Sequence, residues 1–226
     1  KQFIQEFDGF SIGSNDMTQM VLGTDRDNPA LRHIYDEEDP AVVWALLVTI
    51  FAGQKYGKKV GFCGQGVSNS LIIRGLVAIA GIVCASVVPD TYFRTKFDMA
   101  HVEAEDIPVS RLGEWLGQQH LERLKTVLRE NKYEHIAKKY DTAADIKDWY
   151  DGELTRLAEQ LRENLESPKA AFYRQEMETY RRLFHKSVLY ATWDWPSTVY
   201  DAMRQAGFDS FKEQAEALAA QRLKKW

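Results

Sequence analysis

The N-terminal part of the chain alternates short apolar runs with longer stretches that suit helices. Strands are predicted near Gly9–Gly13 and over residues 59–62 and 82–88. Helices are predicted over residues 39–56, over Leu71–Ala80 and from Asp90 onward. Asp39-Pro40 favours a helix start, because Asp is a good N-cap and Pro is tolerated in the first turn. This βαβαβα order is typical of an α/β fold with a parallel sheet.

The pattern changes near residue 97, after which apolar residues recur at helical spacing and strand signals are few. We therefore expect two parts, residues 1–97 with the strands and residues 98–226 as an all-α helical extension. One predicted helix pair is marked by Leu112, Trp115, Leu116, Leu121, Leu124 and Leu128, and a further helix pair by Leu154, Leu157, Leu161 and Leu165. Ser167-Pro168 predicts another helix start, and Trp195-Pro196 and Gly207 predict interruptions between the last helices.

Composition excludes several functional classes. The net charge of −4 and the absence of a basic cluster give no reason to expect nucleic acid or an anionic membrane surface as a partner. Cys63 and Cys84 are the two cysteines, and without metal-like spacing they indicate neither a disulfide framework nor a zinc site. The longest apolar stretches are interrupted by Gly, Arg or polar residues, so no membrane span is predicted. A cytoplasmic protein is the expectation.

Each predicted strand ends in a polar or reactive loop. Ser14-Asn15-Asp16 follows the first strand, Cys63-Gly64-Gln65-Gly66 the second, and Pro89-Asp90 the third. In parallel barrels such loops carry the chemistry. Asp16 is suited to hold a hard divalent cation beside substrate oxygens, or to cap a helix, and the residues alone leave both roles open.

Two further residues have competing interpretations. Arg26 is suited to pair with phosphate oxygens, although a surface ion pair with Asp25 or Asp27 is the commoner use of such a residue. Cys63 lies among small residues, where its thiol could give a proton to a substrate enolate. A lone strand cysteine is more often an inert core residue.

The motifs also carry a resemblance. The matched residues are Gly13-Ser14-Asn15-Asp16-Met17-Thr18-Gln19, Asp25-Arg26, Cys63-Gly64-Gln65 and Pro89-Asp90. In order and spacing they resemble the C-terminal phosphoenolpyruvate-binding barrel of the PEP-utilising enzyme family, which includes phosphoenolpyruvate synthase, pyruvate phosphate dikinase and enzyme I. The resemblance does not extend into the helical extension.

The resemblance implies a fold and a set of roles. The fold would be the C-terminal part of a (β/α)₈ TIM barrel, about its last three βα units, so the chain is expected to be a fragment. Cys63 would be the catalytic acid that handles the substrate proton, and Asp16 would bind Mg²⁺ or Mn²⁺. The substrate would be bound by Gly13, Ser14, Asn15, Asp16, Arg26, Gly64 and Gln65.

By the same resemblance the parent protein would be a phosphohistidine-dependent phosphotransferase that interconverts pyruvate and phosphoenolpyruvate. Upstream phosphohistidine and ATP-binding domains, in the same chain or a separate subunit, would be required, so the isolated fragment would be inactive. A homodimer is expected.

Two alternatives remain open. Val67-Ser68-Asn69 and Val88 depart from the family pattern at the border of the site. These departures favour a phenylphosphate synthase-like enzyme with an aromatic alcohol as phosphoryl acceptor. The other alternative is a non-catalytic assembly or dimerisation module, because three βα units cannot close a barrel and would leave a sheet edge exposed.

Overall fold

A parallel sheet of three strands organises the N-terminal part of the chain. The computed structural model describes residues 2–223, and its strands lie in the order β1 (Gly9–Gly13), β2 (Lys59–Cys63) and β3 (Cys84–Ala85). Side chains alternate along each strand. Ile12, Val60 and Phe62 are buried, whereas Ser11 and Cys84 are exposed. One face of the sheet therefore packs against helices, and the other carries small and polar residues.

The described residues also contain twelve α-helices. They are α1 (Gln2–Glu6), α2 (Ser14–Leu22), α3 (Pro40–Lys55), α4 (Gly66–Asn69), α5 (Leu71–Ala80), α6 (Tyr92–Ala104), α7 (Leu112–Glu130), α8 (Glu134–Lys139), α9 (Ala143–Glu163), α10 (Lys169–Ala191), α11 (Trp195–Gln205) and α12 (Phe211–Leu223). Within residues 2–223, none of these helices has both the length and the apolar character needed to cross a membrane.

Local signals set the ends of α3 and α5. The Asp39 carboxylate caps α3 by accepting a hydrogen bond of 2.9 Å from the Ala41 N–H, and Tyr56 is the C-cap. Helix α5 has the predicted bounds. Its N-cap is Ser70, whose hydroxyl accepts from the Ile73 N–H at 3.0 Å. Ser68 and Asn69, just before this cap, lie in the short helix α4.

Strand β3 is shorter than predicted. The expected strand over residues 82–88 is wrong in length, since only Cys84–Ala85 pairs with β2 as a strand. Single hydrogen bonds extend the pairing on both sides, from Val83 N–H to the Val60 carbonyl at 2.9 Å and from Ser86 N–H to the Phe62 carbonyl at 2.8 Å. Pro89 then opens a 3₁₀ turn, because it has no N–H to continue a ladder. Cys84 is exposed, although it lies in an apolar run.

The described residues form two compact units. The first consists of the residues up to Leu116 together with those from Asp194 onward, and the second is Gly117–Trp193. In the first unit α3 packs against α11 and α12. The Trp44 indole N–H donates to the Asp201 carboxylate at 2.8 Å, and Trp195 is fully buried.

The second unit is entirely helical in its described residues, and it has its own core. Leu124, Leu128, Ile146 and Phe184 are fully buried there. The helix pair predicted from the leucines of residues 112–128 is wrong, because α7 is one continuous helix. Gly117 does not end it, since a glycine in a helix costs only about 1 kcal/mol relative to alanine.

The fold class is therefore α/β, mostly helical, with a small parallel sheet. Three described strands do not form a closed barrel, and the (β/α)₈ assignment stays a prediction. The division into residues 1–97 and 98–226 also stays a prediction. The two compact units are defined by contacts within the chain, and their boundaries lie after Leu116 and after Trp193.

Candidate active site

The loops after β1 and β2 meet at one edge of the sheet. Gly13 lies opposite Cys63 in the parallel register, so both strands end at the same level. The Gln65 N–H donates to the Asn15 amide oxygen at 3.4 Å. The Gly66 N–H donates to the Ser14 hydroxyl at 3.4 Å. The structure thus brings together six of the predicted site residues, namely Gly13, Ser14, Asn15, Cys63, Gly64 and Gln65.

Close approach of these loops depends on Gly64. Its φ of +122° is in the region that favours glycine, and a Cβ there would lie 2.3 Å from the Ser14 Oγ. Ser14 is fully buried, and its carbonyl accepts from the Thr18 hydroxyl at 2.8 Å. A larger residue at position 64 would therefore force the two loops apart.

Asp16 lies in the first turn of α2 and is exposed. The N-cap of that helix is Gly13, so Asp16 does not serve as the cap. Its carboxylate folds back toward Gly13, where a Cβ would lie 3.2 Å from Oδ2. A negative charge is favourable at this end of a helix.

Asp16 would supply one carboxylate ligand to a magnesium ion at this position. Within residues 2–223, no group of three or more His, Cys, Asp or Glu side chains is placed to hold a metal ion. Mg²⁺ commonly takes one or two carboxylates and completes its shell with substrate oxygens and water. An exposed Asp16 beside the loop after β1 agrees with that donor chemistry.

Arg26 makes the ion pair that its sequence context suggests. Its Nε lies 3.7 Å from the Asp27 carboxylate, and its side chain is 44% exposed. Its backbone N–H donates to the Gln19 side-chain oxygen at 3.2 Å, which ties the segment after α2 back to that helix. Among the described residues, Arg26 makes no hydrogen bond to Asn15 or Cys63. An exposed ion pair of this kind contributes little stability, so the guanidinium is easily redirected to an anion.

Cys63 is half-buried at the end of β2. The Ser11 hydroxyl donates to its Sγ at 3.5 Å, across the small and polar face of the sheet. Ser11 was not singled out as a site residue by its sequence position, although the alternation along β1 places it on the same face as Gly13.

A third loop joins the first two through Ser68. Its hydroxyl accepts a hydrogen bond of 3.1 Å from the Val88 N–H, which links the β2 loop to the segment before Pro89-Asp90. The contact therefore joins the Val67-Ser68-Asn69 segment to Val88, the two segments in which the family pattern is not fully kept. Arg74 holds the backbone of this loop, because its guanidinium donates to the Val67 carbonyl at 2.7 Å and to the Ser68 carbonyl at 2.9 Å.

Tyr35 and Glu37 are site residues that the sequence did not reveal. The Tyr35 hydroxyl donates to the Asn15 amide oxygen at 3.3 Å, and the Ser14 hydroxyl donates to the Glu37 carboxylate at 2.5 Å. Burial raises the pKa of Glu37 above its ordinary value, against the lowering effect of the hydrogen bond from Ser14. The acidic run before Pro40 was the one available signal, and it reads equally well as helix capping.

Burial also raises the pKa of the Tyr35 phenol, and the charge of Glu37 raises it further. A hydrogen bond with the Thr18 side chain and the charge of Arg26 lower this pKa, and the charge of Asp16 raises it. The Tyr35 hydroxyl therefore contacts Asn15, and the charges of Asp16 and Arg26 act on its pKa in opposite directions.

Residues 1–104 match the family described as PEP-utilising enzyme, PEP-binding domain. The resemblance inferred from the sequence is thereby confirmed for this part of the chain.

Three relatives of this chain are all named phosphoenolpyruvate synthase. The phosphoenolpyruvate synthase of Escherichia coli (strain K12) is 44% identical over 103 residues, which is 46% of this chain and 13% of the relative. That of Neisseria meningitidis serogroup B is 46% identical over 101 residues, 45% of this chain and 13% of the relative. That of Aeropyrum pernix is 40% identical over 115 residues, 50% of this chain and 14% of the relative. The chain therefore spans only a small fraction of the length of the relatives that it matches.

Proposed function

We propose that this chain is the substrate-binding part of a phosphohistidine-dependent phosphotransferase of the phosphoenolpyruvate synthase type. The parent protein would interconvert pyruvate and phosphoenolpyruvate in the cytoplasm, with Mg²⁺ or Mn²⁺ and with upstream phosphohistidine and ATP-binding domains. The observation that carries the proposal is the meeting of the Ser14-Asn15 and Cys63-Gln65 loops at one edge of the sheet. The relatives bear the name of this activity and do not favour an aromatic acceptor or a purely structural module.

Each of the site residues has a proposed role. Asn15 would bind the phosphate or carboxylate of the substrate, and backbone groups of Gly13 and Ser14 would line the same loop. Arg26 would turn from Asp27 to the phosphoryl group, to which a guanidinium can donate two parallel hydrogen bonds. A bound Mg²⁺, with Asp16 among its ligands, would neutralise negative charge on substrate oxygens.

Cys63 would handle the proton at C3 of the substrate. In the direction of synthesis its thiolate would take that proton from pyruvate, and the enolate oxygen would then form a bond to phosphorus as the bond from phosphorus to histidine breaks. In the reverse direction its thiol would return the proton to C3. The Ser11 hydroxyl, 3.5 Å from Sγ, would lie beside the sulfur during both transfers.

Isotope exchange in the parent protein tests this proposal. Label should exchange between pyruvate and phosphoenolpyruvate in the presence of Mg²⁺. Cys63→Ala should lower the exchange rate by about 10²–10⁴, the range for a general acid or base. Cys84→Ala is the matched control, because Cys84 is exposed on the neighbouring strand and has no assigned role.

Two results would contradict it. Exchange that survives Cys63→Ala unchanged would remove the cysteine from the mechanism. Exchange between phenol and phenylphosphate, without exchange of pyruvate, would replace the proposed acceptor by an aromatic alcohol.

A further inference from the structure

The segment from Tyr35 to Glu38 contacts both substrate loops. It lies between α2 and α3, and three of its four side chains make hydrogen bonds to residues that follow β1 or β2. Tyr35 donates to Asn15, Glu37 accepts from Ser14, and Glu38 accepts from the Ser70 hydroxyl at 2.7 Å. One short segment thus reaches both loops and the cap of α5.

The contacts of Asn15 fix the direction of its amide group. The Gln65 backbone N–H can only donate, so the amide oxygen of Asn15 must face it. The Tyr35 hydroxyl donates to the same oxygen. A carbonyl oxygen has two lone pairs, and both are used here. The NH₂ group of Asn15 is consequently the part of the side chain that can donate to a bound anion.

The contacts of Ser14 link the two loops. Its buried hydroxyl donates to Glu37 and accepts from the Gly66 N–H at 3.4 Å. Glu37 also packs directly on Gly66, where a Cβ would lie 3.1 Å from its Oε1. The carboxylate therefore sets the rotamer of Ser14 and, through it, the position of the loop after Cys63.

We propose that Tyr35 and Glu37 are positioning residues for the substrate, Tyr35 by aiming the Asn15 amide and Glu37 by holding the Ser14 hydroxyl between the two loops. This rests on the proposed function, because the anion that Asn15 receives is the phosphate or carboxylate of phosphoenolpyruvate. Neither residue is assigned to touch the substrate. A tyrosine phenol has an ordinary pKa of about 10, so the Tyr35 hydroxyl keeps its proton and remains a donor at neutral pH.

The kinetic test uses the full-length parent with Tyr35→Phe, which removes the hydroxyl and keeps the ring. We expect the KM for phosphoenolpyruvate to rise about 3- to 10-fold, the range for one lost hydrogen bond, with a change in kcat below about 3-fold. Phosphorylation of the protein by ATP should stay unchanged, because it does not involve this loop. Tyr56→Phe is the matched control, since Tyr56 is 40% exposed at the end of α3.

A second measurement does not depend on activity. Hydrogen exchange of the peptide that contains Gln65 and Gly66 should quicken in Tyr35→Phe and in Glu37→Gln and stay at the wild-type rate in Tyr56→Phe. Unchanged exchange in both site variants would overturn the proposal. An unchanged KM in Tyr35→Phe, in a wild-type protein that exchanges pyruvate, would overturn the role of Tyr35. Absence of pyruvate exchange in the wild type would contradict the proposed function instead, and the hydrogen-exchange result would still decide the positioning of the loops.

Discussion

Arg74 is a buried cation whose removal should strongly destabilise the first unit. Its side chain is 2% exposed, donates to the carbonyls of Val67 and Ser68, and pairs with the Asp98 carboxylate. Arg74→Met keeps a long unbranched side chain and removes all of these contacts. Each buried carbonyl left without a donor costs about 1–3 kcal/mol. Breaking a buried ion pair costs about 3–5 kcal/mol, and because the two costs overlap we expect a total of about 3–5 kcal/mol.

The matched control is Arg94→Met. Arg94 approaches the same Asp98 carboxylate at 3.9 Å, but its side chain is 75% exposed. Its loss should cost less than about 1 kcal/mol. Urea unfolding of the 226-residue chain, followed by tryptophan fluorescence, compares the two variants. Equal midpoints, or a loss below about 1 kcal/mol for Arg74→Met, would refute a supporting role for the buried guanidinium.

Two further predictions concern the second unit and the pH dependence of the first. Phe184→Ala should lower the free energy of unfolding by about 3–5 kcal/mol, because Phe184 is fully buried among aromatic rings, whereas Phe172→Ala on the same helix, at a position 58% exposed, should cost less than about 1 kcal/mol in the same urea experiment. Glu37 has a raised pKa in the folded state, so the folded protein binds this proton more readily than the unfolded chain, and stability should fall as the pH rises from the ordinary value of a glutamate through the raised one. Glu37→Gln removes this dependence. The free energy of unfolding of the variant relative to wild type should therefore rise with pH across that window. If the difference between the two free energies does not change with pH, the pKa shift is contradicted.

Where the sequence predicted an element well, the signals were local. Helix α3 begins at Pro40 and ends before Tyr56 because a capping Asp, a first-turn Pro and a following Gly57 agree with one another. Strand β3 was predicted too long because the apolar run over residues 82–88 looks the same whether or not a neighbour pairs with it. Its true length depends on β2 and on Pro89, and pairing with a distant strand leaves no local mark.

The candidate site shows the same contrast. The loops after β1 and β2 were predicted because their unusual residues stand directly after apolar runs. Tyr35 and Glu37 were missed because their partners lie 20 and 23 residues away, at Asn15 and Ser14. An acidic residue in a run before a helix gives no sign that its carboxylate is half-buried against a glycine of another loop.

The discontinuity of the first unit has a consequence for synthesis on the ribosome. Two of its contacts, from Trp44 to Asp201 and from Lys55 to Glu213, join residues 157 and 158 positions apart. The second unit lies between them in the chain and contains only its own consecutive residues. During translation the second unit can therefore finish folding while α3, made earlier, still waits for α11 and α12. Until then the apolar surface of α3 that packs against α11 and α12 is exposed, and such a surface is one that chaperones bind. Truncation of the C-terminal helices should therefore destabilise the first unit, even though these helices are distant in sequence from β1 and β2.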